Sequence, residues 1–152
     1  MSLWRKAGSL AYALGWPLLW VYLRIGARTR VLVVADGQVL LVQNWLGDDK
    51  WGLPGGGLRR HENLTKGAAR EVTEETGIPL LPDQCKLLAS EWRVRDGLKF
   101  YCHFLVATLP APIVPQKQRG EIVGAGWFAL DKLHDLPRKA EIDRALELWA
   151  AH

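Results

Sequence analysis

Residues Gly56 to Ile78 read GGLRRHENLTKGAAREVTEETGI, and the fold is decided in this stretch. Glu62 to Thr76 is rich in helix-forming residues, and Gly77 followed by Pro79 supplies a stop, so the pattern predicts one helix there. On a helix Glu71, Glu74 and Glu75 stand three and four residues apart, which projects three carboxylates from one face. Like charges one turn apart repel by roughly a few tenths of a kcal/mol per pair on an exposed helix. A divalent cation reverses that sign, and an all-oxygen donor set suits hard ions such as Mg²⁺ or Mn²⁺. Three glutamates taken alone fit a solvated acidic face better, since charge runs usually face solvent.

The residues before the helix shift that balance. Gly55, Gly56 and Gly57 let backbone come close to a ligand, although the Lys-Ser/Thr of a nucleotide P-loop is missing. Gly56, Glu62, Arg70, Glu71, Val72, Glu74, Glu75, Gly77 and Ile78 follow the order Gly, five residues, Glu, seven residues, Arg-Glu-apolar-x-Glu-Glu-x-Gly-apolar. That segment resembles the Nudix box of the Nudix hydrolases. The resemblance extends to the lead-in WGLPGGG at Trp51 to Gly57 and to EIVGAGWFALDKL beginning at Glu121, and so covers roughly residues 29 to 150.

What the resemblance implies is an α/β fold, a Nudix-type α/β/α sandwich with a mixed sheet. The implied activity is Mg²⁺-dependent hydrolysis of a phosphoanhydride in a nucleoside diphosphate linked to another group, either a nucleoside triphosphate or an NDP-linked metabolite. Position by position, Glu71, Glu74 and Glu75 are similar to the family's metal ligands, the backbone at Gly56 to a further oxygen ligand, and Glu62 to the residue that pairs with the box arginine, here Arg70. Glu121 matches where other members place an acidic residue beyond the box, as a ligand or general base, and Glu71 is the other candidate base. A metal that neutralises pyrophosphate charge suits a reaction that depends on positioning and charge stabilisation. The alternative, from another class, is a Nudix-fold nucleotide-binding or membrane-associated sensor that does not turn its ligand over.

Other residues have two readings. Trp45 and Trp51 flank the lead-in loop and either stack on a base or pack at the rim. His103 alternates with apolar neighbours in a strand pattern and either lines a substrate cleft or packs. Arg93, Arg95 and Lys99 surround a turn and either touch phosphates or remain solvated. With Gly55 and Gly56, residues Trp45, Trp51, Arg93 and His103 form the candidate substrate-binding set.

Outside the helix, RVLVVA (Arg30 to Ala35) and QVLLVQN (Gln38 to Asn44) flank Asp36-Gly37, a strong hairpin signal. LLASEWRVR and LKFYCHFLVATL flank Asp96-Gly97 and predict a second, longer hairpin. PAPIVPQKQRG, with its prolines, is a loop; Glu121 to Leu130 reads as a short strand. Pro137 is expected to open a last helix that buries Ile142, Ala145, Leu146 and Trp149 on one face.

The chain has 152 residues, 49% hydrophobic and 24% charged, which fits one globular domain and excludes a disordered chain. Its net charge of +4 is uneven. Residues 1–30 carry Arg5, Lys6, Arg24, Arg28 and Arg30 without an acid, leaving 15 basic against 16 acidic side chains beyond them. A nearly neutral catalytic region argues against a stable nucleic-acid partner, capped or triphosphorylated RNA included, and for a small nucleotide substrate. Cys85 and Cys102 match no zinc or redox spacing and fit a reducing cytoplasm, with Cys102 a small buried hydrophobe.

Residues 1–28 form an apolar and basic arm before a Nudix domain at 29–152. Ala7 to Leu23 carries no charge, and as a helix it would span about 26 Å, the short edge of a bilayer crossing. Pro17 kinks or restarts it, and Tyr12, Trp16 and Trp20 make an aromatic stripe. Residues 7–27 therefore either pack on the domain, form a homodimer seam, or attach a cytoplasmic protein to a membrane; a cleaved signal is the weakest option, since no small-x-small site follows Leu23.

Overall fold

A computed structural model describes residues 26–45, 48–95, 97–116 and 122–152. Residues 1–25 of the expected arm and Glu121 lie outside the described residues, and Arg28, placed at the end of that arm, is instead the first residue of a strand. Five strands form one mixed sheet: β1 (Arg28–Ala35), β2 (Gln38–Asn44), β3 (Cys85–Arg95), β4 (Leu98–Thr108) and β5 (Ile122–Ala129). Their spatial order is β3-β4-β1-β2-β5. Only β1 and β4 run parallel, with Arg28 level with Cys102 and Val34 level with Thr108. The other three pairings are antiparallel.

The first hairpin turns as its sequence requires. Asp36 at φ 45° and Gly37 at φ 72° both adopt the left-handed region, the turn that matches the twist of paired strands and that Asp-Gly tolerates. Helix α1 (Leu64–Thr76) starts two residues later than expected, because Asn63 caps it: its Oδ1 accepts from the backbone N–H of Thr65 at 3.1 Å and of Lys66 at 3.2 Å. Gly77 closes it in the left-handed conformation, donating to Thr73 O at 2.9 Å.

Both faces of the sheet are covered. Strand alternation sends Val31, Val33, Leu40, Leu105 and Ala107 to one side, where Ala68, Ala69 and Val72 of α1 meet them. Leu32, Val34, Val39, Leu41, Phe104 and Val106 face the other side, against Ile142 and Ala145 of α2 (Ala140–Ala150). The result is the expected α/β/α sandwich.

The last helix begins at Ala140 rather than at Pro137. Trp51 explains the shift: its N–H donates to Pro137 O and its carbonyl accepts from Lys139 N–H, both at 2.8 Å, so these residues run as a bridged extended segment. Leu146 and Trp149 are partly buried beside Ile142 and Ala145, on the face the periodicity indicated. Cys85 and Cys102 are both buried free thiols, and burial pushes each up to about 11.

Candidate active site

The three glycines that lead into α1 are threaded against β1. Thr29 N–H donates to Gly56 O at 2.8 Å, Val31 N–H to Pro54 O at 2.9 Å, and Arg28 bridges to Gly57. This lays the turn beside the α1 carboxylates. Gly55 N–H donates to Glu75 Oε2 at 2.8 Å, and a Cβ at Gly56 would collide with the Glu71 carboxylate. Only glycine leaves that oxygen its place.

Arg70 organises the carboxylates. Its Nε and Nη2 grip Glu62 at 2.7 and 2.9 Å, its Nη1 bridges Glu71 at 2.7 Å and Glu74 at 2.9 Å, and Nη2 also reaches Gly57 O at 3.2 Å. The hydrogen bond from Arg70, aided by Arg59 N–H at 2.8 Å, holds the Glu62 carboxyl down at about 2. Glu62 raises Arg70 in return. Glu74 is 51% exposed and also meets Arg59 at 3.4 Å. Three carboxylates, Glu62, Glu71 and Glu74, thus share two guanidinium partners, with Glu75 beside them on the Gly55 N–H.

The donor chemistry fits a hard divalent ion, with carboxylate oxygens from one helical turn and a backbone held close by glycine. Among the described residues, however, no three acidic, His or Cys side chains already converge on one point. Nη1 of Arg70 holds Glu71 by Oε1 and Glu74 by Oε2, one oxygen of each carboxylate, and a carboxylate so held still has lone pairs to offer a metal.

A cavity of about 340 Å³ opens on the α2 side of the sheet, on the far side of the glycine turn. Lys50, Arg93, Arg138 and Lys139 outnumber the acids Asp48 and Glu141 in its lining, although Lys50, Arg93 and Arg138 are paired with Asp48, Glu91 and Asp143; Phe100 and Phe104 give it an aromatic wall, with the Arg93 guanidinium 5.9 Å above the Phe104 ring. Between cavity and turn sits an ion pair. Arg30 Nε donates to Glu141 Oε2 at 2.9 Å, its Nη1 donates to Thr29 O and Gly55 O at 2.9 and 3.0 Å, and Glu141 Oε1 accepts from Leu53 N–H at 3.2 Å. The two side chains are 7% and 16% exposed. Burial pushes Glu141 up, but Arg30 outweighs it and leaves the carboxyl below its usual range. Arg30, counted by sequence with the basic arm, is a core residue of the domain.

The sequence candidates divide between these places. Glu62, Arg70, Glu71, Glu74, Glu75, Gly55 and Gly56 come together at the turn. Arg93 lines the cavity. Trp51 packs its ring 4.6 Å from Phe128 and uses its backbone to seat the start of α2. Trp45 is half-buried just beyond β2. His103 shares its face of β4 with Leu105, not with the cavity-lining Cys102 and Phe104; its Nδ1 pairs with Ser90 Oγ at 2.7 Å, and burial lowers its pKa. Lys50, Arg138, Lys139 and the Arg30–Glu141 pair escaped the sequence reading. One weak signal existed, an acidic residue in the first turn of a helix.

Residues 25–149 match the NUDIX domain family. Nudix hydrolase 6 of Arabidopsis thaliana is 32% identical over 127 residues, covering 80% of this chain and 45% of the relative, so the chain spans less than half of that protein's length. Phosphatase NudJ of Escherichia coli K12 is 33% identical over 104 residues, 67% of each chain. Among solved structures, a MutT NUDIX hydrolase from Burkholderia pseudomallei superposes with a TM-score of 0.70 at 27% identity, covering 81% of this chain and 96% of that one.

Proposed function

The chain belongs to the Nudix hydrolase family, and on that footing we propose that it hydrolyses a phosphoanhydride in a small nucleotide, a nucleoside triphosphate or an NDP-linked metabolite, with Mg²⁺ or Mn²⁺. The observation that carries the reading is the surplus of carboxylate on α1 pressed against Gly56. Glu71, Glu74 and Glu75, with Gly56 O, would hold the ion, which when bound neutralises and orients the pyrophosphate.

The chain's own residues do the rest. Glu62 holds Arg70 by two hydrogen bonds, so the guanidinium stays in place beside Glu71 and Glu74 and orients their carboxylates. Lys50, Arg93, Arg138 and Lys139 attract the anionic substrate into the cavity, and its apolar wall shields the bound group from water. Arg30 and Glu141 brace the glycine turn between cavity and carboxylates. Glu121 is the further ligand or general base, beside Glu71 as the other candidate base.

A panel of nucleoside triphosphates and NDP-linked compounds, assayed for phosphate or pyrophosphate release with each ion, tests the proposal. Metal-dependent release is expected, and binding without product at any divalent ion would favour the sensor instead. Glu121→Gln should lower turnover by at least about tenfold in a folded protein, and unchanged turnover at saturating Mg²⁺ removes its role.

A further inference from the structure

β3 ends the sheet on one side, and among the described residues no strand pairs with it on the side away from β4. Such an edge offers its unpaired backbone N–H and C=O groups to another strand, and natural edges are guarded by proline, bulges or charge. Cys85–Arg95 contains no proline. A bulge between Leu87 and Ala89 interrupts the ladder near its start, which leaves Ser90 to Val94 as a regular stretch. Trp92 and Val94 lie across from Tyr101 and Lys99, on the face of the sheet that carries Leu105. They are 62% and 70% exposed.

The charges of this stretch complement themselves. Laid antiparallel about Trp92, two β3 strands set Glu91 opposite Arg93 and Arg93 opposite Glu91, with Trp92 against Trp92 and Val94 against Ser90. Side chains directly opposed in this way stand about 4.5–5.5 Å apart at Cβ, close enough for both ion pairs. Each copy brings balanced charge to that face: Glu91 meets Arg93 at 3.2 Å and Arg144 at 2.9 Å, and Arg144 meets Glu147 at 3.2 Å. On the other face the Lys99 ammonium stands 5.1 Å over the Trp92 ring and Tyr101 packs edge-on at 5.2 Å, so the indole is steadied while most of it faces solvent. A register that opposed Glu91 to Lys86 would put the bulge in the middle of the ladder. The centre at Trp92 keeps the bulge outside it.

We propose that β3 pairs with β3 of a second copy, antiparallel about Trp92, and so joins two five-stranded sheets into one. Arg93 and Val94 also line the cavity, which places the second copy at its rim. The pairing uses no residue of the carboxylate cluster and stands apart from the proposed hydrolysis.

Sedimentation equilibrium of the full chain tests this. A reversible dimer with a dissociation constant on the order of micromolar is expected. Trp92→Ser should weaken it at least about tenfold, with an unchanged circular dichroism spectrum because the side chain is exposed in the single chain. Glu91→Arg and Arg93→Glu should each disperse the dimer by setting like charges face to face. An equimolar mixture of those two variants should dimerise again, since each exchanged charge then meets its opposite. A wild-type chain that stays monomeric at about 100 µM overturns the proposal. So does a dimer indifferent to Trp92→Ser, which would put the seam on another surface. A mixture of the two charge variants that stays monomeric, with both folded by circular dichroism, equally overturns it.

Discussion

Two clusters of charge lie on either side of one glycine turn, and they are built on opposite principles. Arg30 and Glu141 form one cation against one anion, nearly sealed from solvent, with the remaining polar atoms satisfied by Thr29 O, Gly55 O and Leu53 N–H. Arg70 faces three carboxylates, one of them half exposed, while a fourth leans on a backbone N–H. A balanced and buried pair fixes geometry. An unbalanced cluster at the surface keeps affinity for a cation the chain does not itself provide. The contrast supports a structural role for the first cluster and the proposed metal chemistry for the second.

Breaking the balanced pair should have the largest effect. Glu141→Ala leaves Arg30 charged and buried without its partner, and should cost roughly 3–5 kcal/mol in denaturant unfolding. A loss below about 1 kcal/mol would mean that the pair is a bystander and the contrast false.

Glu75→Gln probes the other side. The amide oxygen can still accept from Gly55 N–H, so the fold should survive while the charge goes. Metal-dependent turnover should fall on the order of 10²–10³-fold, with the circular dichroism spectrum of the metal-free variant unchanged. Wild-type turnover would place the ion elsewhere.

The smallest effect is a pH dependence. Glu62 titrates near 2 in the folded chain against its ordinary 4.5. A depressed carboxyl contributes stability that is complete above the unfolded value and is lost as pH falls from about 4.5 through about 2. Glu62→Gln should therefore flatten the decline in stability over that acid range, and an unaltered slope would show that Arg70 does not hold Glu62 as described.

The unbalanced cluster was legible in the sequence, and the balanced one was not. Glu71, Glu74 and Glu75 are neighbours on one helix, so helical geometry alone brings them together, and Gly77 announces where that helix stops. Arg30 and Glu141 are 111 residues apart, and nothing local to either marks the other. The cavity is hidden for the same reason, since Lys50, Arg93 and Lys139 come from separate segments. His103 illustrates a subtler difficulty: alternation fixes which residues share its face, but which face borders the cavity depends on where α2 packs. Pro137 does not open α2 because Trp51, far away in sequence, engages the Pro137 carbonyl and the Lys139 N–H and holds residues 137–139 extended.

Calorimetric titration of Mg²⁺ and Mn²⁺ into the metal-free wild-type chain, with Glu75→Gln alongside, tests most directly whether α1 is a cation site. Saturable binding of either ion at millimolar concentration or below, markedly weakened in the variant, is the predicted result. Absence of binding by both ions at several millimolar, or equal binding by wild type and variant, would contradict it.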